Sequence, residues 1–395
     1  MLRFARLLCL APWALACDPA ADSGSEAPRL SSPPIAQGKA DSPLGERPEI
    51  GVILTSHGDI DLPEEIEPYI KSAFQKNVGV PLPQWVREPL TEPAYLLSKQ
   101  LVEAQYDAIG PTNYRANAQL QADALQAALY DANINAKVYL GYNFTWPFID
   151  DALAAAQADG VQQLVVFNKG AQFSFATLGE SIDEVEHYLD AHPEWPVSGV
   201  AVRQFSDDER FRGLLAEVIE RDARATFPDV PTQDICLLVA SHGLPMRMIN
   251  DGDPAVDQML DVVDDLKVRL PEFPLYHGFL NDDFFPGAEW VAPKGSVVAA
   301  EMRSVSCPAV LMDARLSFTT HHRATLYDLD VEAREILEEP DLQPDGTLHP
   351  LYQPARVVLA QQWDAEPAFA ALLRDLTVEA LAGQGDLIPL AVGHR

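Results

Sequence analysis

The 395-residue chain is poor in cysteine and poor in positive charge. Its four cysteines are Cys9, Cys17, Cys236 and Cys307, and no two stand in a Cys-x-x-Cys spacing. The count and spacing indicate neither a disulfide framework nor a cysteine-based zinc or iron–sulfur site. Lysine and arginine number 28 against 59 aspartates and glutamates, a formal net charge of −31. A phosphate backbone would be repelled by such a surface, so no nucleic-acid partner is expected. The apolar stretch from Leu7 to Leu15 is too short to span a bilayer. What remains is an acidic chain with 47% apolar residues, long enough for two domains of ordinary size. Acidic surfaces concentrate cations, which suits a protein that handles metal ions.

Residues 1–17 have the form of a bacterial export signal. Arg3 and Arg6 supply a positive start, the apolar stretch follows, and Ala14-Leu15-Ala16-Cys17 has the small residues of a lipoprotein processing site. Cys17 is therefore the expected lipidated N-terminus, with a membrane-anchored location in the cell envelope. A cytoplasmic protein with a chance apolar start is the alternative. Residues 18–48 are rich in Pro, Ser, Ala, Gly and Asp and read as a disordered linker.

The globular part is organised around Ile235-Cys236-Leu237-Leu238-Val239-Ala240, an apolar run that stops at Ser241-His242-Gly243-Leu244-Pro245. A run without alternation suits a strand covered on both faces, as in a parallel sheet. His242 then falls just past the carboxyl end of that strand, where open α/β sheets place their ligands. A second copy, Ile53-Leu54-Thr55-Ser56-His57-Gly58, opens the globular region. A later pair matches as well: Leu164–Phe167 leads to Ser174-Phe175-Ala176-Thr177, and Ala309–Met312 leads to Ser317-Phe318-Thr319-Thr320. The chain reads as two similar Rossmann-like lobes, over 49–205 and 206–388, each an α/β unit with a parallel sheet flanked by helices. Strands are expected at 50–55, 138–142, 164–167, 235–240, 309–312 and 357–359. Helices are expected at 64–74, 119–129, 149–158, 255–270, 323–337 and 368–381. Three stretches, 79–91, 106–114 and 275–289, read as loops.

At this point the chain resembles the ferrochelatase family, the class II chelatases. Leu238 to Met246, followed by Asn250-Asp251-Gly252-Asp253-Pro254, resembles the catalytic-histidine block of that family. Phe318-Thr319-Thr320-His321-His322-Arg323-Ala324-Thr325-Leu326-Tyr327-Asp328 resembles its metal-side helix. Phe148 to Leu153 and Gln172 to Gly179 resemble a first-lobe helix and the tract lining the tetrapyrrole cleft. Three positions differ from the usual pattern. Ala324 and His321 stand where the family has acidic residues, and Asn143 stands where many members have an arginine.

The resemblance implies the chelatase fold and insertion of Fe²⁺ into a porphyrin, in haem biosynthesis. On that reading His242 and His322 are catalytic, with His242 as base or metal escort. The metal side comprises His242, His321, His322, Asp328 and Glu332. The porphyrin is lined by Asn143, Phe144, Trp146, Phe173, Ser174, Met246 and Tyr327. Partners are a porphyrin and a divalent metal, with Fe²⁺ as substrate, no tightly bound cofactor and no iron–sulfur cluster. Two other readings stay open. One is a non-catalytic binder of haem or metal on the same fold. The other is a chelatase that places cobalt or nickel in another tetrapyrrole.

Overall fold

The computed structural model describes residues 47–80, 82–281, 289–305, 307–340 and 355–391. The expected export signal, Cys17 and the expected linker up to residue 46 lie outside the described residues. In chain order the first lobe holds β1 (Ile50–Ser56), α1 (Ile66–Lys76), α2 (Gln84–Ile109), α3 (Tyr114–Asp131), β2 (Ala136–Tyr142), α4 (Ile149–Asp159) and β3 (Gln163–Asn168). It continues with α5 (Glu180–Ala191), β4 (Ser198–Val202) and α6 (Glu209–Thr226). The second lobe holds β5 (Ile235–His242), α7 (Met246–Asn250), α8 (Ala255–Arg269), β6 (Leu275–Leu280), α9 (Gly295–Ser304) and β7 (Ala309–Asp313). A wide-turn π-helical stretch over Thr325–Ala333 then runs into α10 (Arg334–Glu338), β8 (Arg356–Leu359), α11 (Pro367–Leu381) and β9 (Leu387–Pro389).

The two sheets repeat one plan. Their strand orders are β2-β1-β3-β4-β9 and β6-β5-β7-β8, so each of the first four strands has a counterpart. All pairings are parallel except β4 with β9. β1 and β5 are interior strands, paired on both edges and buried over most of their length. That is why both read as apolar runs with no alternation. One large core is common to the lobes: Val52 and Leu54 of β1, Leu237 and Val239 of β5 and Leu311 of β7 all belong to it.

The structure departs from the sequence expectations in several places. α2 covers 84–91 of the stretch 79–91 and 106–109 of the stretch 106–114, both of which read as loops, with Pro89 and Pro93 inside the helix. The Arg87 guanidinium donates to the carbonyls of Gln75, Asn77, Val80 and Leu82, and so satisfies backbone acceptors at the end of α1 and in the connection to α2. Leu275–Leu280 is not loop but strand β6, paired residue by residue with β5 from Leu237 to His242. β5 itself runs through Ser241 and His242, so His242 is the last residue of the strand rather than the first beyond it. β9 pairs with β4, so the C-terminal segment returns to the first sheet and a split at 205/206 does not follow the sheets. Cys236 and Cys307 form a disulfide with Cα atoms 6.0 Å apart. No disulfide was expected. The two cysteines are 71 residues apart and meet only because β5 pairs with β7.

Candidate active site

Both Ser-His-Gly turns need their glycines. A Cβ on Gly58 would lie 2.3 Å from Thr145 Oγ1, and Gly58 has φ of +88°. A Cβ on Gly243 would lie 1.7 Å from Asn281 Oδ1. Each turn is thus held tightly against the neighbouring strand's end, and the histidine before it is fixed in place. In the second lobe, Ser241 turns into the sheet and meets His277 Nε2 at 2.9 Å, and desolvation lowers the His277 pKa to about 4. His242 points the other way along the pleat. Its half-buried ring lies 5.7 Å from the Phe318 ring, and His322 packs edge-on against the same phenyl ring at 4.4 Å. Phe318 therefore brings the two predicted catalytic imidazoles to one apolar surface. In the first lobe the twin of this arrangement is His57, 4.2 Å from the Phe144 ring and 3.1 Å from the Tyr69 hydroxyl.

The metal-side residues do not gather as expected. Among the described residues no three His, Cys, Asp or Glu side chains converge to hold one ion. His321 is buried, with Nδ1 3.3 Å from Thr325 Oγ1 and 3.4 Å from Gln362 Nε2, and burial lowers its pKa. Its ring belongs to the interior and not to the His242–Phe318–His322 surface. The Nδ1 of His322 accepts from the Ala324 backbone N–H at 3.0 Å. A neutral ring in that arrangement carries its own proton on Nε2, which donates rather than ligates. Asp328 is buried, and Glu332 is 3.4 Å from Lys294 Nζ. Ala324 is buried within an apolar cluster that includes Leu280, Met312 and Leu329. The carboxylate usual at this position would have to enter that cluster.

The porphyrin-side residues divide. Asn143 and Phe144 are buried and line a cavity of about 850 Å³, where the Asn143 amide oxygen accepts from Ser181 Oγ at 3.1 Å. Trp146 and Tyr327 are half-buried. Phe173 packs in the first-lobe core, edge-on to Phe175 and with the Arg203 guanidinium over its ring at 5.0 Å. Met246 packs against the shared core at the start of α7. Ser174 donates to Asp253 at 2.7 Å, and Asp253 also accepts from the Phe175 N–H at 2.8 Å. Two blocks far apart in the chain, Gln172–Gly179 and Asn250–Pro254, are thus locked across the lobes.

A seam of buried polar groups behind the site was not foreseen. Asp59 accepts from the Tyr106 hydroxyl, and at 2.8 Å each from the Ile60 N–H and the Arg323 N–H, the last in the other lobe. Burial raises its pKa to about 6 against those hydrogen bonds. This carboxylate therefore anchors the segment holding His322. Lys169, at the end of β3, donates to Thr320 at 2.6 Å and lies 5.0 Å from the Tyr114 ring centre. Burial pulls its pKa down to about 7. No local pattern in the sequence says which of these polar residues become buried.

The chain is similar to several known proteins. A ferrochelatase of Thermosynechococcus vestitus is 26% identical over 303 residues, covering 75% of this chain and 76% of that protein. A ferrochelatase of a Cyanothece species is 26% identical over 341 residues, covering 85% of this chain and 83% of its own. Among solved structures, SirB from Bacillus subtilis with Fe³⁺ overlaps 86% of this chain and 99% of its own at a TM-score of 0.49 and 13% identity. The ferrochelatase family profile matches residues 49–381, which include both Ser-His-Gly turns and both Ser-Phe-x-Thr segments, and the chain belongs to that family.

Proposed function

We propose that this protein inserts Fe²⁺ into a porphyrin and that His242 takes one of the departing pyrrole protons. Family membership supports the broader statement, a chelatase placing a divalent metal in a tetrapyrrole. The observation that carries the finer reading is the position of His242 at the carboxyl end of the central strand β5, beside Phe318 and His322. Insertion releases two protons for each metal that enters, with no change in the oxidation state of iron. An imidazole titrates near neutrality and is suited to accept a proton there. Phe318 gives the site an apolar floor on which a flat macrocycle can rest. Mixing purified protein with excess porphyrin and anaerobic Fe²⁺ tests the reading by absorbance. Many metalloporphyrins formed per protein support an enzyme. A single stoichiometric shift contradicts turnover. That second outcome fits a binder of haem or metal, a reading favoured by the burial of Ala324 in an apolar cluster.

We further propose an envelope location with lipid on Cys17. The leader motivates it, and the Cys236–Cys307 disulfide supports it, because such bonds persist in oxidising compartments. Cell fractionation checks this: the protein should sediment with membranes, and Cys17→Ser should release it. Soluble protein with Met1 intact would contradict the proposal.

A further inference from the structure

His242 accounts for one of the two protons released at each insertion, and the other also needs an acceptor beside the macrocycle. The first lobe repeats the arrangement that holds His242. His57 follows β1 directly, as His242 ends β5. In each lobe the serine before the histidine is tied into the interior, Ser56 to the Tyr114 hydroxyl at 2.7 Å and Ser241 to His277 at 2.9 Å. Side chains alternate along extended backbone, so each histidine turns the opposite way. There it meets a phenyl ring, Phe144 at 4.2 Å in one lobe and Phe318 at 5.7 Å in the other. The backbone around His57 is fixed. The Ser56 and His57 carbonyls accept from the Asn143 and Phe144 N–H groups at 3.0 and 3.2 Å. Its ring is half-buried rather than sealed in the core. The two histidine-bearing ends also border one junction. Asp59, two residues beyond His57, accepts at 2.8 Å from the N–H of Arg323, the residue after His322.

We propose that His57 accepts the second pyrrole proton. The assignment rests on the chelatase reading. A flat macrocycle between the lobes presents one face to each, so its two protons have an acceptor on either side. As each pyrrole N–H bond breaks, its electron pair stays on the macrocycle nitrogen and binds the metal, while a new N–H bond forms on an imidazole. Each imidazolium then gives its proton to water, and iron remains Fe²⁺ throughout. With two acceptors, neither ring has to unload before the second proton leaves. The Tyr69 hydroxyl lies 3.1 Å from His57 Nε2. A hydroxyl can donate to the neutral ring or accept from the charged one, so this bond survives both protonation states.

The test measures initial rates of Fe²⁺ insertion into a porphyrin by the full protein at pH 7. His57→Gln keeps a polar group for Tyr69 and takes up no proton near neutrality. Its maximal rate should fall about 10²-fold, the low end for loss of a general base. The porphyrin concentration for half-maximal rate should stay within about threefold of wild type, because binding is not what the ring supplies. In His57→Ala, added imidazole should restore part of the rate, and more basic alkylimidazoles should restore more. A variant, folded by thermal melting, that keeps most of the wild-type rate overturns the assignment and leaves His57 as a packing residue. A lost rate with a raised half-maximal porphyrin concentration and no rescue overturns it in favour of substrate binding. Rescue that ignores the basicity of the added imidazole overturns it in favour of metal ligation. A wild type that inserts no metal fails the chelatase reading and this assignment with it. A wild type that turns over at the same rate as His57→Gln fails this assignment alone.

Discussion

Lys169 shows most clearly how the seam changes side-chain chemistry. It is buried, touches Thr320 across the junction and Tyr114 of its own lobe, and its pKa falls from 10.5 to about 7 because burial disfavours the charged amine. The native state then binds fewer protons at this site than the unfolded chain between those two values. Stability attributable to Lys169 rises with pH through that window and is lowest below pH 7. Lys169→Met removes the dependence. The stability of Lys169→Met relative to wild type should therefore fall by ~3 kcal/mol from pH 6 to pH 9, two pH units above the folded pKa, as read from urea midpoints. A difference that stays constant with pH would contradict the assignment. His242 was legible at this scale, because a histidine after a buried run is a local pattern. Lys169 and Asp59 were not, because their burial comes from residues of the other lobe more than 100 positions away. His321 misled for the same reason. Its place beside His322 in the chain hides the fact that its ring turns to Thr325 and Gln362.

Among the elements, the interior strands β1, β3, β5 and β7 lie where the periodicity placed them, as do the six expected helices, whereas the interior strand β4 and the helices α5, α6 and α9 were not expected. Some of the misses have a clear cause. β6 and β9 are edge strands whose identity depends on a partner elsewhere, and α2 carries Pro89 and Pro93 inside the helix, where prolines ordinarily mark a break. The π-helical stretch Thr325–Ala333 has no sequence signature that distinguishes it from the α-helix expected there. The disulfide is the element-scale feature with the largest energetic consequence. It closes a span of 71 residues between paired strands, and cross-linking such a span restricts the unfolded chain by roughly 4 kcal/mol in the chain-entropy picture. Cys236→Ala with Cys307→Ala should lower the melting temperature by several degrees, and a reductant should lower that of the wild type alike once the buried bond opens. Identical melting curves with and without the cross-link would show that the bond does not form in the folded protein.

At the scale of the molecule, two copies of one α/β plan share a core and meet along polar bonds between strand ends. The pseudo-symmetry places a histidine at the end of each central strand, but the surroundings differ. His57 faces Phe144 and Tyr69 in the first lobe. His242 faces Phe318 and His322 in the second. The central claim is that His242 performs the proton transfer, and the most direct measurement is the initial rate of Fe²⁺ insertion by His242→Ala against wild type at pH 7. Removal of a general base predicts a fall of about 10²–10⁴-fold. The melting temperature should stay within a few degrees, because His242 is half-buried at a strand end. A folded variant that keeps most of the wild-type rate would contradict the account.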